Sequence, residues 1–256
     1  MRLGSGPPLL ILHGFTGSGR AMRPLTDRLS GRFSLIVPDL VGHGRSDAPA
    51  DAGAYTMAAV VDQLRRLVAT DAPVGVVGYS MGGRVGLSLC ASHPELVSRA
   101  LLIGASPGLD DPAARAARRA ADEALADRIE AQGIEAFVDH WESLPIWSSQ
   151  RRLAPDVLAG MRADRLANRP AGLAGSLRGT GTGAQPSLWD RLGQIQVPTC
   201  LVVGSEDARF AAVAAEMAAA MPCAQVTVID AAGHAAHVEQ PDATAAAILD
   251  WFGEGP

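Results

Sequence analysis

Three side chains far apart in the chain have the types and the order needed to activate a hydroxyl. Ser80 lies in Gly78-Tyr79-Ser80-Met81-Gly82, after the apolar run Val74-Gly75-Val76-Val77 and before a helical pattern starting near Gly83. The pattern G-x-S-x-G describes a sharp strand-to-helix turn that holds a serine in a strained backbone conformation with its hydroxyl exposed. Glycines two before and two after the serine let strand and helix meet across so tight a turn. An ordinary Gly-rich turn also satisfies the five letters; the strand before and the helix after are what the chemistry requires. A serine hydroxyl is a poor nucleophile or base at neutral pH. It needs a histidine to take its proton and a carboxylate to hold the imidazole. Asp207 follows the apolar run ending at Val203, and His234 follows the run Gln225 to Ile229. Alone, Asp207 reads as a turn residue and His234 as unremarkable. Together with Ser80, each sits just past a predicted strand, where open α/β sheets place their sites. An oxyanion beside Ser80 needs two fixed N–H donors. The Met81 amide is one candidate and the Phe15 amide, in the Gly-rich loop His13-Gly14-Phe15, is the other.

The elements that position these residues alternate in type. Leu9-Leu10-Ile11-Leu12 is a continuous apolar run, as suits a strand buried on both faces. A helix is predicted over about 22–29, a strand over Phe33 to Val37, and a helix from Thr56 to about Ala69 with Val60, Val61, Leu64 and Leu67 at helical spacing. Strand 74–79, a helix to about Ser92 and strand Ala100 to Ile103 follow. Repeated alternation argues a doubly wound, mostly parallel α/β sheet. From about Pro107 to Trp189 no strand-like run is seen, and short helices are predicted over 112–126, 134–141, 155–167 and 172–177. Such an insertion reads as a lid or cap. Strands at 197–203 and 225–229 then alternate with helices at 211–221 and 242–252. The expected division is core 1–106, cap 107–190 and core 191–256.

Composition narrows the function classes. The chain has 256 residues, 48% of them hydrophobic, which is enough for a sizeable core. The net charge of −5 does not suggest a nucleic-acid partner. All basic side chains are arginine, which carries no mechanistic weight by itself. Cys90, Cys200 and Cys223 are odd in number and lack CxxC spacing, so they read as buried apolar residues rather than disulfides or metal ligands. No HExxH pattern is present. No apolar run approaches the roughly 20 residues of a membrane span. The stretch Met1 to Pro8 is too short and too rich in Gly and Pro for a signal peptide. A cytoplasmic protein without a metal is expected.

His13-Gly14-Phe15, Gly42-His43-Gly44-Arg45-Ser46-Asp47, the turn at Ser80, Gly204-Ser205-Glu206-Asp207 and Gly233-His234 together resemble the α/β-hydrolase superfamily over nearly the whole chain. The resemblance implies a mostly parallel sheet with helices on both faces and a helical cap inserted after the sixth strand. It says little about activity, because that fold hosts many chemistries. Only seven residues precede the Pro8 strand, so the antiparallel edge strands with which many members open are missing or vestigial. A narrower resemblance rests on Gly78 to Arg84, Ser106-Pro107-Gly108-Leu109, Arg115 to Arg119 with Asp122, and Gly179 to Trp189. These look like the 2-succinyl-6-hydroxy-2,4-cyclohexadiene-1-carboxylate (SHCHC) synthases of menaquinone biosynthesis, lyases that eliminate pyruvate from an enolpyruvyl cyclohexene.

That resemblance implies a small anionic substrate with three carboxylates and no organic cofactor. Arginine forks suit carboxylates best. It places Arg84 near the pocket floor, brings Arg118 and either Arg165 or Arg162 down from the cap, and lines the pocket with Tyr79 and Trp141; Arg165 keeps the better spacing to Gln185-Pro186-Ser187. Without it, each cap arginine reads as a solvated surface residue. An acidic neighbour in the cap would equally explain a buried Arg84. Two other functions fit the same residues. One is a hydrolase that cleaves an ester or a carbon–carbon bond. The other is a non-catalytic ligand-binding protein, against which the intact Ser80, Asp207 and His234 argue.

Overall fold

The continuous apolar runs become the inner strands of a seven-stranded sheet. In this computed structural model, which describes residues 1–253, the elements in chain order are β1 (Arg2–Leu3), β2 (Pro8–Leu12), α1 (Arg23–Leu29), β3 (Ser34–Ile36), α2 (Met57–Val68), β4 (Val74–Tyr79), α3 (Met81–Ser92) and β5 (Val97–Ile103). After β5 come α4 (Pro112–Glu142), α5 (Pro155–Leu166) and α6 (Pro170–Thr180), then β6 (Thr199–Gly204), α7 (Ala208–Ala220), β7 (Ala224–Ile229), α8 (Ala236–Glu239) and α9 (Pro241–Gly253). The expected last core stretch runs on to residues 254–256, which lie outside the described ones. The sheet order is β1-β3-β2-β4-β5-β6-β7, with all neighbours parallel except β1 against β3.

Alternation along each strand divides two cores. Leu10, Leu12, Val74 and Val76 face α2, α3 and α7, whereas Leu9, Ile11, Val77 and Tyr79 face α1 and α9. Both faces of the inner strands are therefore dry, the condition for a mostly parallel sheet. The chain runs outward from β2 to β3 and returns to place β4 on the other side of β2. The carboxyl ends of β2 and β4 thus diverge at a topological switch point, where a crevice opens.

The helices between β5 and β6 form a third, smaller core. Ile129, Phe137 and Val138 of α4 bury against Leu173 and Leu177 of α6. The segments expected as separate helices at 112–126 and 134–141 join into α4, broken only at Gly133, whose φ of 84° interrupts the helical backbone. These helices leave the sheet after the fifth strand, not the sixth. A single strand of two residues precedes β2, so the vestigial edge is real and the count is one lower. Cys90 and Cys200 are buried as expected; Cys223 is exposed, because it lies in the turn before the edge strand β7.

Candidate active site

The turn from β4 to α3 forces Ser80 into the left-handed region, with φ 49° and ψ −108°. Such a conformation costs on the order of 1–3 kcal/mol for a residue with a side chain. Its neighbours hold it there. Ser80 N donates to Ile103 O at 2.8 Å, and Arg84 N donates to Ser80 O at 2.9 Å. A Cβ at Gly78 would lie 2.5 Å from Gly82 O, and one at Gly82 would collide with Leu12 O. The two glycines of the motif are thus required by the close approach of strand and helix.

β6 and β7 deliver the other two residues. Asp207 caps α7, its Oδ1 accepting from Phe210 N at 3.3 Å. Its Oδ2 lies 2.8 Å from His234 Nδ1, and His234 Nε2 lies 3.0 Å from Ser80 Oγ. The carboxylate fixes the tautomer: Nδ1–H donates to Asp207, so Nε2 presents a lone pair to the serine hydroxyl. Rings confine the imidazole, with Phe210 at 4.4 Å, Tyr79 at 5.5 Å and Trp147 at 5.8 Å between centroids. Gly104, at φ 58°, leaves the space that a Cβ would take 2.8 Å from His234 Cε1.

The loop after β2 is fixed by a buried neutral histidine. His13 Nε2 accepts from Leu40 N at 2.9 Å, so Nδ1 carries the proton and donates to Gly14 O at 2.8 Å. Burial holds the His13 pKa below its ordinary value, in keeping with that neutral form. Asn168 Nδ2, just after α5, donates to Thr16 O at 2.7 Å and fixes the loop from the side of the helices between β5 and β6. Among the described residues neither the Phe15 nor the Met81 amide has a hydrogen-bond acceptor. Both residues line the cavity that holds Ser80 and His234, about 420 Å³ in volume. Two free donors beside an activated hydroxyl can stabilise an oxyanion.

Known proteins share this fold. The family model of the alpha/beta hydrolase fold matches residues 7–241. The chain belongs to the α/β-hydrolase family. Within it, a protein of Salmonella heidelberg (strain SL476) named 2-succinyl-6-hydroxy-2,4-cyclohexadiene-1-carboxylate synthase is 33% identical over 241 residues, 92% of this chain and 89% of that protein. A Bacillus subtilis (strain 168) protein provisionally given the same name is 41% identical over 240 residues, 91% of this chain and 85% of the relative. The solved structure of MenH from S. aureus superposes with a TM-score of 0.93 at 34% identity, covering 96% of this chain and 93% of that one. A thermophilic esterase from Thermogutta terrifontis gives 0.84 at 28% identity, covering 99% and 92%.

The charged side chains lining the cavity of this α/β-hydrolase chain are three arginines, Arg84, Arg118 and Arg209, and two aspartates, Asp110 and Asp111. Arg84, one turn along α3 from Ser80, is 9% exposed and donates through Nη1 to Thr180 O at 2.6 Å and Gln185 Oε1 at 2.9 Å. No ion pair among the described residues includes it. Burial, with repulsion from Arg118, pushes its pKa down to about 10, still well above neutrality. Arg118 lines the same cavity and donates from Nε to Asp122 Oδ1 at 2.7 Å, which orients it through one edge. Asp122 is itself buried, its other oxygen taking Gly183 N at 3.1 Å.

Tyr79 and Trp141 line this cavity and a neighbouring one of about 270 Å³. Arg165 lines only the neighbouring one. It is tied to Glu142 at 2.8 Å with its guanidinium over the Trp147 ring, so it does not face Ser80. Arg162 lines neither cavity and pairs with Asp139 and Glu142. Sequence reasoning missed Trp147, Arg209 and Phe210, and named Gln185 only within the stretch Gly179 to Trp189, without a role. Arg209 and Phe210 sit within three residues of Asp207, a nearness that could have drawn attention to them. Trp147 and Gln185 reach the site only through packing of the cap. No three His, Cys, Asp or Glu side chains among the described residues come together as a metal-binding set.

Proposed function

We propose that this chain is an SHCHC synthase acting in the cytoplasm, with residues 107–190 as the cap over its site. The observation that carries the reading is the joining of a hydrogen-bonded Ser80–His234–Asp207 line to one cavity with three arginine side chains, Arg84, Arg118 and Arg209. The relatives' name gives the product, and the resemblance to that family implies the substrate. It is a cyclohexene with three carboxylates and an enolpyruvyl ether, for which arginine forks are the natural partners.

Ser80 acts in this reading as a base, not as an acylated nucleophile. A ring proton made acidic by conjugation with the succinyl ketone passes to the Ser80 oxygen as the serine's own proton passes to His234 Nε2. The negative charge gathers on the ketone oxygen, which the Phe15 and Met81 amides receive. Collapse of this enolate breaks the ring carbon–oxygen bond. Enolpyruvate leaves, takes up the proton and becomes pyruvate, while the ring becomes a conjugated diene. Asp207 holds the imidazolium between the two transfers. The triad and the free amides suit ester hydrolysis equally, and the esterase neighbour keeps that second reading open to test. Incubation with the enolpyruvyl substrate, with pyruvate read through lactate dehydrogenase, separates the two. Pyruvate release supports the lyase, and its absence with turnover of simple esters supports the hydrolase.

A further inference from the structure

Glu239 is a buried carboxylate that the elimination does not use. Its side chain is 1% exposed, yet it belongs to a helix of four residues beside the sheet. A carboxylate in such a place must find donors. Glu239 finds them on either side of the catalytic histidine: Gly233 N donates to Oε2 at 2.8 Å and Ala235 N to Oε1 at 3.2 Å. One side chain thus grips the backbone immediately before and after His234.

A cation completes the arrangement. Arg152 Nη2 lies 3.6 Å from Glu239 Oε2 and donates to Ala231 O at 2.6 Å. The same guanidinium donates through Nη1 to Glu206 Oε1 at 2.7 Å, one residue before Asp207. Arg152 ends the turn of 3-10 helix Pro145–Arg152, which also carries Trp147 against the His234 ring. The loops bearing the histidine and the aspartate are therefore joined to each other and to the cap through one ion cluster.

We propose that Glu239 is the positioning residue of His234, and that Arg152 extends its grip to the Asp207 loop and the cap. The triad side chains are set by distances of 2.8 and 3.0 Å. The rings around the imidazole limit its tilt, while the two amide bonds to Glu239 hold the peptide groups on either side of it, beside the backbone bonds from Glu206 N to Ala232 O at 2.9 Å and from Glu239 N to Ala235 O at 3.0 Å. The inference rests on the proposed reaction for its kinetic readout, and on geometry alone for its spectroscopic one.

Glu239→Gln decides it. The amide keeps one acceptor oxygen and turns an N–H₂ toward the second backbone N–H, so one arm of the grip is lost. Turnover by pyruvate release should fall about 10- to 100-fold, the scale set by small misplacement of a catalytic group, with KM nearly unchanged. In the resting protein the downfield proton resonance of the His234–Asp207 hydrogen bond should broaden or vanish. Arg152→Ala, which leaves both amide bonds in place, covers the case in which Glu239→Gln does not fold. It should lower kcat several-fold, again without changing KM. A Glu239→Gln protein with wild-type kcat and an unchanged downfield resonance overturns the proposal, as does wild-type kcat in Arg152→Ala if the first variant does not fold. A wild-type protein that releases no pyruvate but shows the resonance, lost in Glu239→Gln, refutes the lyase reading and leaves this one standing.

Discussion

Replacing Arg84 by alanine removes a cation that serves two ends at once. Its Nη1 closes two buried acceptors, Thr180 O and Gln185 Oε1, while its remaining edge belongs to the Ser80 cavity. Leaving an acceptor of this kind unpaired costs about 1–3 kcal/mol. Two of them cost about 2–6 kcal/mol, and in a chain of this size, where about 1 kcal/mol moves Tm by roughly 2–4 °C, the expected fall is about 4–24 °C. A charge-assisted bond to a substrate carboxylate contributes on the order of 1.5–3 kcal/mol, which is about 10- to 150-fold in kcat/KM. Both losses should therefore appear together in Arg84→Ala. Arg84→Lys should recover part of the efficiency through its charge, but not the planar fork. Steady-state kinetics normalised to folded protein, beside a thermal melt, measure both. A variant that melts early but keeps wild-type kcat/KM in its folded fraction would refute the reasoning and leave Arg84 a purely structural cation.

Further outcomes are expected. Ser80→Ala should lose several orders of magnitude in turnover while its melting curve stays close to wild type, and retention of more than about a tenth of the rate removes Ser80 from the chemistry. Arg209→Ala should raise KM several-fold with kcat unchanged, because Arg209 lines the cavity and has no carboxylate partner among the described residues; an unchanged KM makes it a solvated rim residue. Burial pushes His43 and His237 down to about 3, so both stay neutral in the folded protein. The unfolded chain takes up those protons below pH 6.5, so this part of the stability is complete above that pH and lost as pH falls toward 3. By pH 5 each histidine should have cost about 2 kcal/mol, and denaturant titrations that give equal stability at pH 7.5 and 5 contradict this.

The hydrogen-bonded line Ser80–His234–Asp207 was legible in the sequence because each of its residues lies within five residues of the end of a short strand. Gly78 is demanded by contact with Gly82, four residues on, and Gly82 by contact with the end of the neighbouring strand at Leu12; both needs survive in sequence as G-x-S-x-G. The arginines were less legible. Arg84 could be placed because one helical turn from Ser80 is a fixed distance. Arg165 could not, because helical spacing does not tell which way Glu142 will draw it. The 3-10 turn that brings Trp147 to His234 lacks any periodic apolar pattern and forms through tertiary contacts. The grip of Glu239 on His234 is local in sequence, yet nothing in the letters distinguishes a carboxylate turned inward from one in solvent.

In the proposed reaction a hydrolase-type triad acts as a base in an elimination. The most direct test follows three quantities in one reaction with the enolpyruvyl cyclohexene: pyruvate by the coupled assay, the conjugated diene by its absorbance, and the protein by intact-mass spectrometry during turnover. Pyruvate and diene should form in equal amounts, and the protein mass should never change. A covalent adduct on Ser80 formed and discharged at the rate of turnover, or diene without an equal amount of pyruvate, would contradict the proposed reaction.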